Sequence, residues 1–157
     1  MTAPKQSELA SKLEQAFALY GFAEPNVAKL KDYTGTTLKT LYKYFPSKED
    51  MIIGALDYRH SRYIAFLEEN CPSTRNEAIN HIFERLSVWL TTFAPRGCMS
   101  LQALASYPNN LQIETAVNTS ILTKLRPTIN QRISLCPKCS IGMATKEAAT
   151  SMGPPSF

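Results

Sequence analysis

Long apolar runs are missing from this chain of 157 residues. None approaches the roughly 20 residues that span a bilayer, and the opening MTAPKQSELASK has no apolar core of a secretion signal. A cytoplasmic, membrane-free protein is the expectation. Charged residues are also scarce, at 19%, while hydrophobic ones reach 44%, a balance that favours a packed core over disorder. No segment alternates apolar and polar residues over a strand's length, and no internal repeat or low-complexity tract is present. Catalytic patterns are absent too: there is no Ser/His/Asp arrangement, no Gly-rich phosphate loop, and no paired carboxylates beyond the solvated Glu68-Glu69. An enzyme is not expected.

The four cysteines, Cys71, Cys98, Cys136 and Cys139, are spread through sequence that reads as helical, so reduced thiols are expected rather than a disulfide framework. Cys136-Pro-Lys-Cys139 is a lone CxxC. Zinc would need two further ligands, and His60 and His81 have no metal-ligand spacing to it. A thioredoxin-like role would want a βαβ context. No metal and no cofactor is expected.

What is present is a local basic face. Between Ala28 and Lys48 stand Lys29, Lys31, Lys39, Lys43 and Lys48 against Asp32 alone, which accounts for the whole formal excess of +4. Nucleic acid is the natural partner of such a window. A membrane surface fits less well, because the lysines fall on two short helices rather than one long amphipathic one.

Helical periodicity runs through most of the chain, and the fold class is all-α. A first helix, about residues 7–20, carries Leu9, Leu13, Ala16, Phe17 and Tyr20, and Gly21 closes it. Asn26 caps a second, from Val27 to about Tyr33. Gly35 then allows a tight bend, and Thr36 or Thr37 caps a third helix in which Leu38, Leu41, Tyr42 and Phe45 make one apolar stripe. Pro46 ends it, and Ser47-x-x-Asp50 reads as a capping box that opens a long fourth helix to about Glu69. Tyr42, Lys43, Tyr44 and Lys48 are expected to gather where these last two helices abut.

Thr74-x-x-Glu77 reads as a second capping box, opening a helix of about residues 75–93. Its Ile79, Ile82, Phe83, Leu86, Val88, Trp89, Leu90 and Phe93 wrap most of the circumference, which predicts burial on nearly all sides. After Pro95-Arg96-Gly97 comes a short helix, residues 98–106, and then a long one, about residues 111–134, kinked at Pro127. Val117, Ile121, Leu125, Ile129 and Ile133 form a ridge along it. From Leu135 onward no common apolar face persists, and an irregular tail is expected.

The order helix, Gly-containing turn, helix is the layout that lays a second helix into the DNA major groove. The run from Gly21 to Asp50, and above all Thr40-Leu-Tyr-Lys-Tyr-Phe-Pro-Ser-Lys-Glu49, resembles the N-terminal module of the tetracycline-repressor (TetR) family of transcriptional regulators. The match covers roughly the first third of the chain. Lys31, Thr34 and Thr36 stand where that family usually has small apolar residues. The segment Pro95–Met99 with its short helix is similar, less specifically, to the middle of the family's regulatory domains.

The resemblance implies a DNA-binding head at residues 1–46, a helical regulatory body at 47–134 and a tail at 135–157, with the long fourth helix joining head to body. It implies a ligand-responsive repressor that docks on double-stranded operator DNA through the helix at 37–45, using Asn26, Thr36, Thr37, Leu38, Lys39, Thr40, Tyr42, Lys43, Tyr44 and Lys48. Lys48 and Tyr42 would meet the backbone and Lys39 base edges. In that family a cavity in the body takes a ligand that tilts the heads apart. Tyr63, Phe66, Trp89, Phe93, Met99 and Leu104 are the expected contacts of a small apolar or aromatic effector, with Arg96 and Gln102 as polar candidates. Aromatics at helical spacing are more often core residues than ligand contacts. Operator binding in the family needs a homodimer, usually built from two C-terminal helices that this sequence does not display, so the Val117–Ile133 ridge is the expected substitute. The alternative reading is a helical small-molecule-binding or interaction protein that no longer binds an operator.

Overall fold

A computed structural model describes residues 4–120. Within them the chain forms seven helices and no strand: α1 Pro4–Tyr20, α2 Val27–Thr34, α3 Leu38–Tyr44, α4 Lys48–Glu68, α5 Arg75–Thr92, α6 Met99–Ser106 and α7 Leu111–Ser120. The all-α expectation holds.

The first four helices start and stop for reasons written in the sequence. Asn26 Oδ1 accepts the Lys29 amide at 2.9 Å to cap α2. The helix ends on Gly35 at φ 64°, a left-handed conformation that costs a residue without Cβ little. Thr37, rather than Thr36, caps α3 through its hydroxyl on the Thr40 amide. At α4 the capping box forms in full: Asp50 N donates to Ser47 Oγ at 3.0 Å, and Ser47 N to Asp50 Oδ2 at 3.1 Å. The second proposed box does not form. Thr74 stands at the N-cap of α5 but donates its hydroxyl to the Glu77 carboxylate, so it caps no backbone amide.

Leu9, Leu13, Ala16 and Phe17 of α1 meet Leu30, Leu41 and Phe45 and the inner face of α4, Met51, Ile52 and Ala55. Each of the leucine, isoleucine, phenylalanine and methionine side chains contributes about 1.5–3 kcal/mol when fully removed from water. The same apolar cluster continues without a gap to Met99 and Ala103 of α6 and Ile113 and Val117 of α7. Val117 is therefore spent on the core of its own chain and is not free for an intermolecular ridge. Ile121, Leu125, Ile129 and Ile133, the Pro127 kink, the tail, Cys136 and Cys139 lie outside the described residues.

Two departures concern exposure. Leu38 and Tyr42 are 43% and 44% exposed, so the inward stripe of α3 reduces to Leu41 and Phe45. The seven residues of α3 make about two turns, and only the narrow arc of Leu41 and the C-cap Phe45 reaches the core. On α5 only Ala78 and Trp89 are buried, whereas Phe83 is 67% exposed and Val88 and Leu90 about half so. All-round burial of α5 is thus not found among the described residues: an apolar circumference measures capacity for burial, and here α4 occupies one side of it.

Candidate DNA-binding surface and effector region

α3 buries one arc and exposes another. Leu41 is fully buried, while Leu38, Lys39, Tyr42 and Lys43 face outward together at positions one and four apart. Among the described residues Lys39 has no polar partner, whereas Lys43 Nζ lies 5.5 Å from the Tyr44 ring. Tyr44 itself is half-buried against the core. Thr37 and Thr40 share a hydroxyl–hydroxyl bond of 2.9 Å at the start of this face, and Thr36 donates its amide to Lys31 O at 3.3 Å.

The departures from the family pattern are accommodated. Thr34 is buried, with its hydroxyl donated to Leu30 O at 2.9 Å and Lys31 O at 3.0 Å. Lys31 is partly exposed and paired with Asp32 at 2.6 Å. Lys29 sits over the Tyr20 ring at 3.8 Å.

Lys48, at the first position of α4, takes a different direction from the expected cluster. Its ammonium donates to Ala23 O at 3.2 Å and lies 5.7 Å from the Tyr107 ring. It ties α4 to the α1–α2 connection and to the end of α6.

The expected effector residues divide. Tyr63, Phe66, Trp89 and Phe93 form one ring cluster, with centroids 5.2 Å apart for Tyr63–Trp89, 5.5 Å for Phe66–Trp89, 5.8 Å for Phe66–Phe93 and 4.8 Å for Trp89–Phe93. Guanidinium groups close on their faces, Arg85 at 3.6 Å from Phe66 and Arg62 at 5.4 Å from Phe93. Burial, with Cys98 nearby, pushes the Tyr63 hydroxyl's ionisation above its ordinary value. Met99 is buried, and Leu104 packs half-buried on the main core.

Open space lies beside this ring cluster. A cleft of about 440 Å³ runs between α1, Tyr33 of α2, the middle of α4 and the α5–α6 connection. Phe93 and Met99 line it, as do both polar candidates, Arg96 and Gln102. Glu14, Arg59 and Arg62, none of them among the residues expected from the sequence, also line it. Glu14 is buried and holds Arg59 at 2.5 Å and Arg62 at 3.4 Å. Two signals were available: a carboxylate next to Leu13 inside the apolar stripe of α1, and two arginines one turn apart on α4. Cys71 and Cys98 are free thiols, the first half-buried and the second exposed.

No known protein family profile matches the chain, and no curated protein matches it. Among solved structures it is similar to the reduced form of E. coli NemR. The TM-score is 0.67 at 18% sequence identity, over 83% of this chain and 70% of that one. That likeness establishes a shared helical fold. None of the helices among the described residues is long and apolar enough to cross a membrane.

Proposed function

We propose that the chain is a ligand-responsive, DNA-binding transcriptional repressor of the TetR type, acting on double-stranded operator DNA as a homodimer and released by a small apolar or aromatic effector. The observation that carries this reading is α3. A short helix follows a left-handed Gly35 turn, anchors through Leu41 and Phe45, and turns Leu38, Lys39, Tyr42 and Lys43 outward as one face. An exposed leucine and tyrosine beside two lysines have no purpose in the core, and they suit base edges and phosphates. The TetR-like motif at residues 40–49 and the fold shared with NemR support the same reading.

In this reading residues 1–46 act as the head and 47–134 as the body. Lys39 donates to guanine O6 and N7, while Tyr42 and Lys48 hold phosphates; Lys48 exchanges its bond to Ala23 O for the phosphate. The test is a titration of the DNA flanking the gene, read by fluorescence anisotropy beside a solution mass. Lys39→Ala should relax preference at one base position by about 1–3 kcal/mol. Lys48→Ala should weaken all sequences alike and flatten the salt slope by about 0.9. Absence of specific binding, or a monomer on the DNA, would overturn the proposal. Trp89 is the sole tryptophan, so quenching of its emission screens for effectors directly. Compounds that quench it must also shift operator affinity to count.

A further inference from the structure

We propose that the cleft between α1 and the α5–α6 connection binds an organic anion with a flat apolar body, of the aromatic carboxylate class. Its use as the effector site rests on the repressor reading; the binding itself does not.

The argument starts from charge. Three guanidinium groups, of Arg59, Arg62 and Arg96, line the cleft against one carboxylate, Glu14. Arg59 is fully employed: it donates to Glu14 Oε1 at 2.5 Å and to Phe93 O at 2.6 Å, and its side chain is nearly buried. The other two are not. Arg62 reaches Glu14 Oε2 only at 3.4 Å and otherwise lies over the faces of Trp89 and Phe93. Arg96 places a single nitrogen, Nη1, on the carbonyls of Ala18 and Leu19 at 3.2 and 2.9 Å. Each guanidinium has five N–H donors in a planar fork that suits a carboxylate. Among the described residues the cleft therefore holds an excess of two positive charges and donors without acceptors.

The apolar half of the ligand follows from what lies between the charges. Leu19 and Phe93 leave substantial apolar surface exposed at the cleft, and Met99 closes it behind them. A flat ring laid along Leu19 and the exposed part of Phe93 would lie in the cleft that Arg62 and Arg96 also line. The volume falls in the range of small-molecule sites. An apolar molecule alone would leave the two arginines unanswered, and an inorganic anion would leave Phe93 and Leu19 in water.

The test is calorimetry on the full chain with 2-naphthoate, its neutral isostere 2-naphthamide, and inorganic phosphate. Naphthoate should bind at least tenfold more tightly than the amide, and phosphate at equal concentration should not displace it. Arg62→Met and Arg96→Met should each shrink that preference to less than threefold, while Phe83→Leu, exposed on α5 and outside the cleft, should keep it. Far-UV circular dichroism checks that each variant folds. If Arg62→Met does not, Arg96→Met at its exposed position carries the test alone. Equal affinity for acid and amide, no naphthoate binding at millimolar concentration, displacement by phosphate, or a preference that survives both arginine changes would each overturn the proposal. No DNA enters this measurement, so failure of operator binding would sink the repressor reading and leave this one standing.

Discussion

Gly54 lies in the middle of α4, where intrinsic propensity says it should be replaced. Alanine there would stabilise an exposed helix by about 0.8–1.0 kcal/mol. The structure argues for the opposite sign. A Cβ built on Gly54 would press on Phe45 Cε1, closer than real Cβ atoms approach, with Cδ1 at 3.1 Å and Cζ at 3.2 Å. Phe45 is buried in the shared core, and although open space adjoins it beside Gly54, its ring can move away only by giving up core packing. Overpacking of this kind costs about 1–3 kcal/mol, which leaves Gly54→Ala destabilised by up to about 2 kcal/mol after the propensity gain. At this chain length each kcal/mol lowers the melting midpoint by about 2–4 °C. The decisive assay is a double-mutant cycle with Phe45→Leu, read by thermal and urea unfolding. In the leucine background the ring is gone, so Gly54→Ala should become neutral or stabilising, with a coupling energy of about 1–3 kcal/mol. Equal effects of Gly54→Ala in both backgrounds would refute the close approach. Because Phe45 is also the C-cap of α3, the repressor reading adds that the wild-type-background variant should displace the outward face and weaken operator binding in a separate titration.

Glu14→Ala leaves Arg59 half-answered in a buried setting and should destabilise by an amount near the lower end of the about 3–5 kcal/mol typical of a broken buried pair. A urea-derived loss below about 1 kcal/mol would mean the pair is solvated. Asn26→Ala removes the α2 cap and should cost about 0.5–2 kcal/mol, with amide exchange rising at Lys29; unchanged exchange there would count against the cap. Thr34→Val keeps the buried shape and deletes a hydroxyl whose acceptors are helix carbonyls, so a cost under about 1 kcal/mol is expected. A drop of several kcal/mol would show that this hydroxyl, and not its bulk, holds the turn.

Local grammar was the legible part of this chain. Caps at Asn26, Thr37 and Ser47, the Gly35 turn and the Leu9–Phe17 stripe all depend on neighbours within a few residues, and each appears where the residues put it. The failures share a cause. Whether Leu38, Tyr42 or Phe83 is covered depends on which helix arrives from far along the chain, and periodicity carries no such information. The Thr74–Glu77 pair failed more narrowly, since the same two side chains can bond each other instead of the backbone. For the effector region, periodicity found the aromatic cluster but not the cleft. The cleft is made of a carboxylate on α1 and guanidiniums on α4 and the α5–α6 connection, 45 to 82 positions apart in sequence.

That same separation gives the cleft its leverage. One apolar cluster joins α1–α4 to α6 and α7, with no member from α5, so α1–α3 cannot part from α4, α6 and α7 as a free body. What can change is the polar stitching along their seam. Arg96 holds the last turn of α1, Tyr107 donates its hydroxyl to Phe22 O at 3.2 Å, and Lys48 donates to Ala23 O at 3.2 Å. Each such bond is worth about 0.5–1.5 kcal/mol net. Allosteric coupling between two ligands is itself only about 1–3 kcal/mol. An anion that drew Arg96 off the α1 carbonyls would thus spend a stitch equal in size to the whole coupling required, and would loosen the end of the helix on which Leu9, Leu13 and Phe17 support α2 and α3. Arg96→Met should mimic that ligand. Its operator affinity should fall by about tenfold or less, the equivalent of about one such bond, with no further response to 2-naphthoate. Wild-type affinity together with an undiminished naphthoate response would show that the stitch carries none of the coupling.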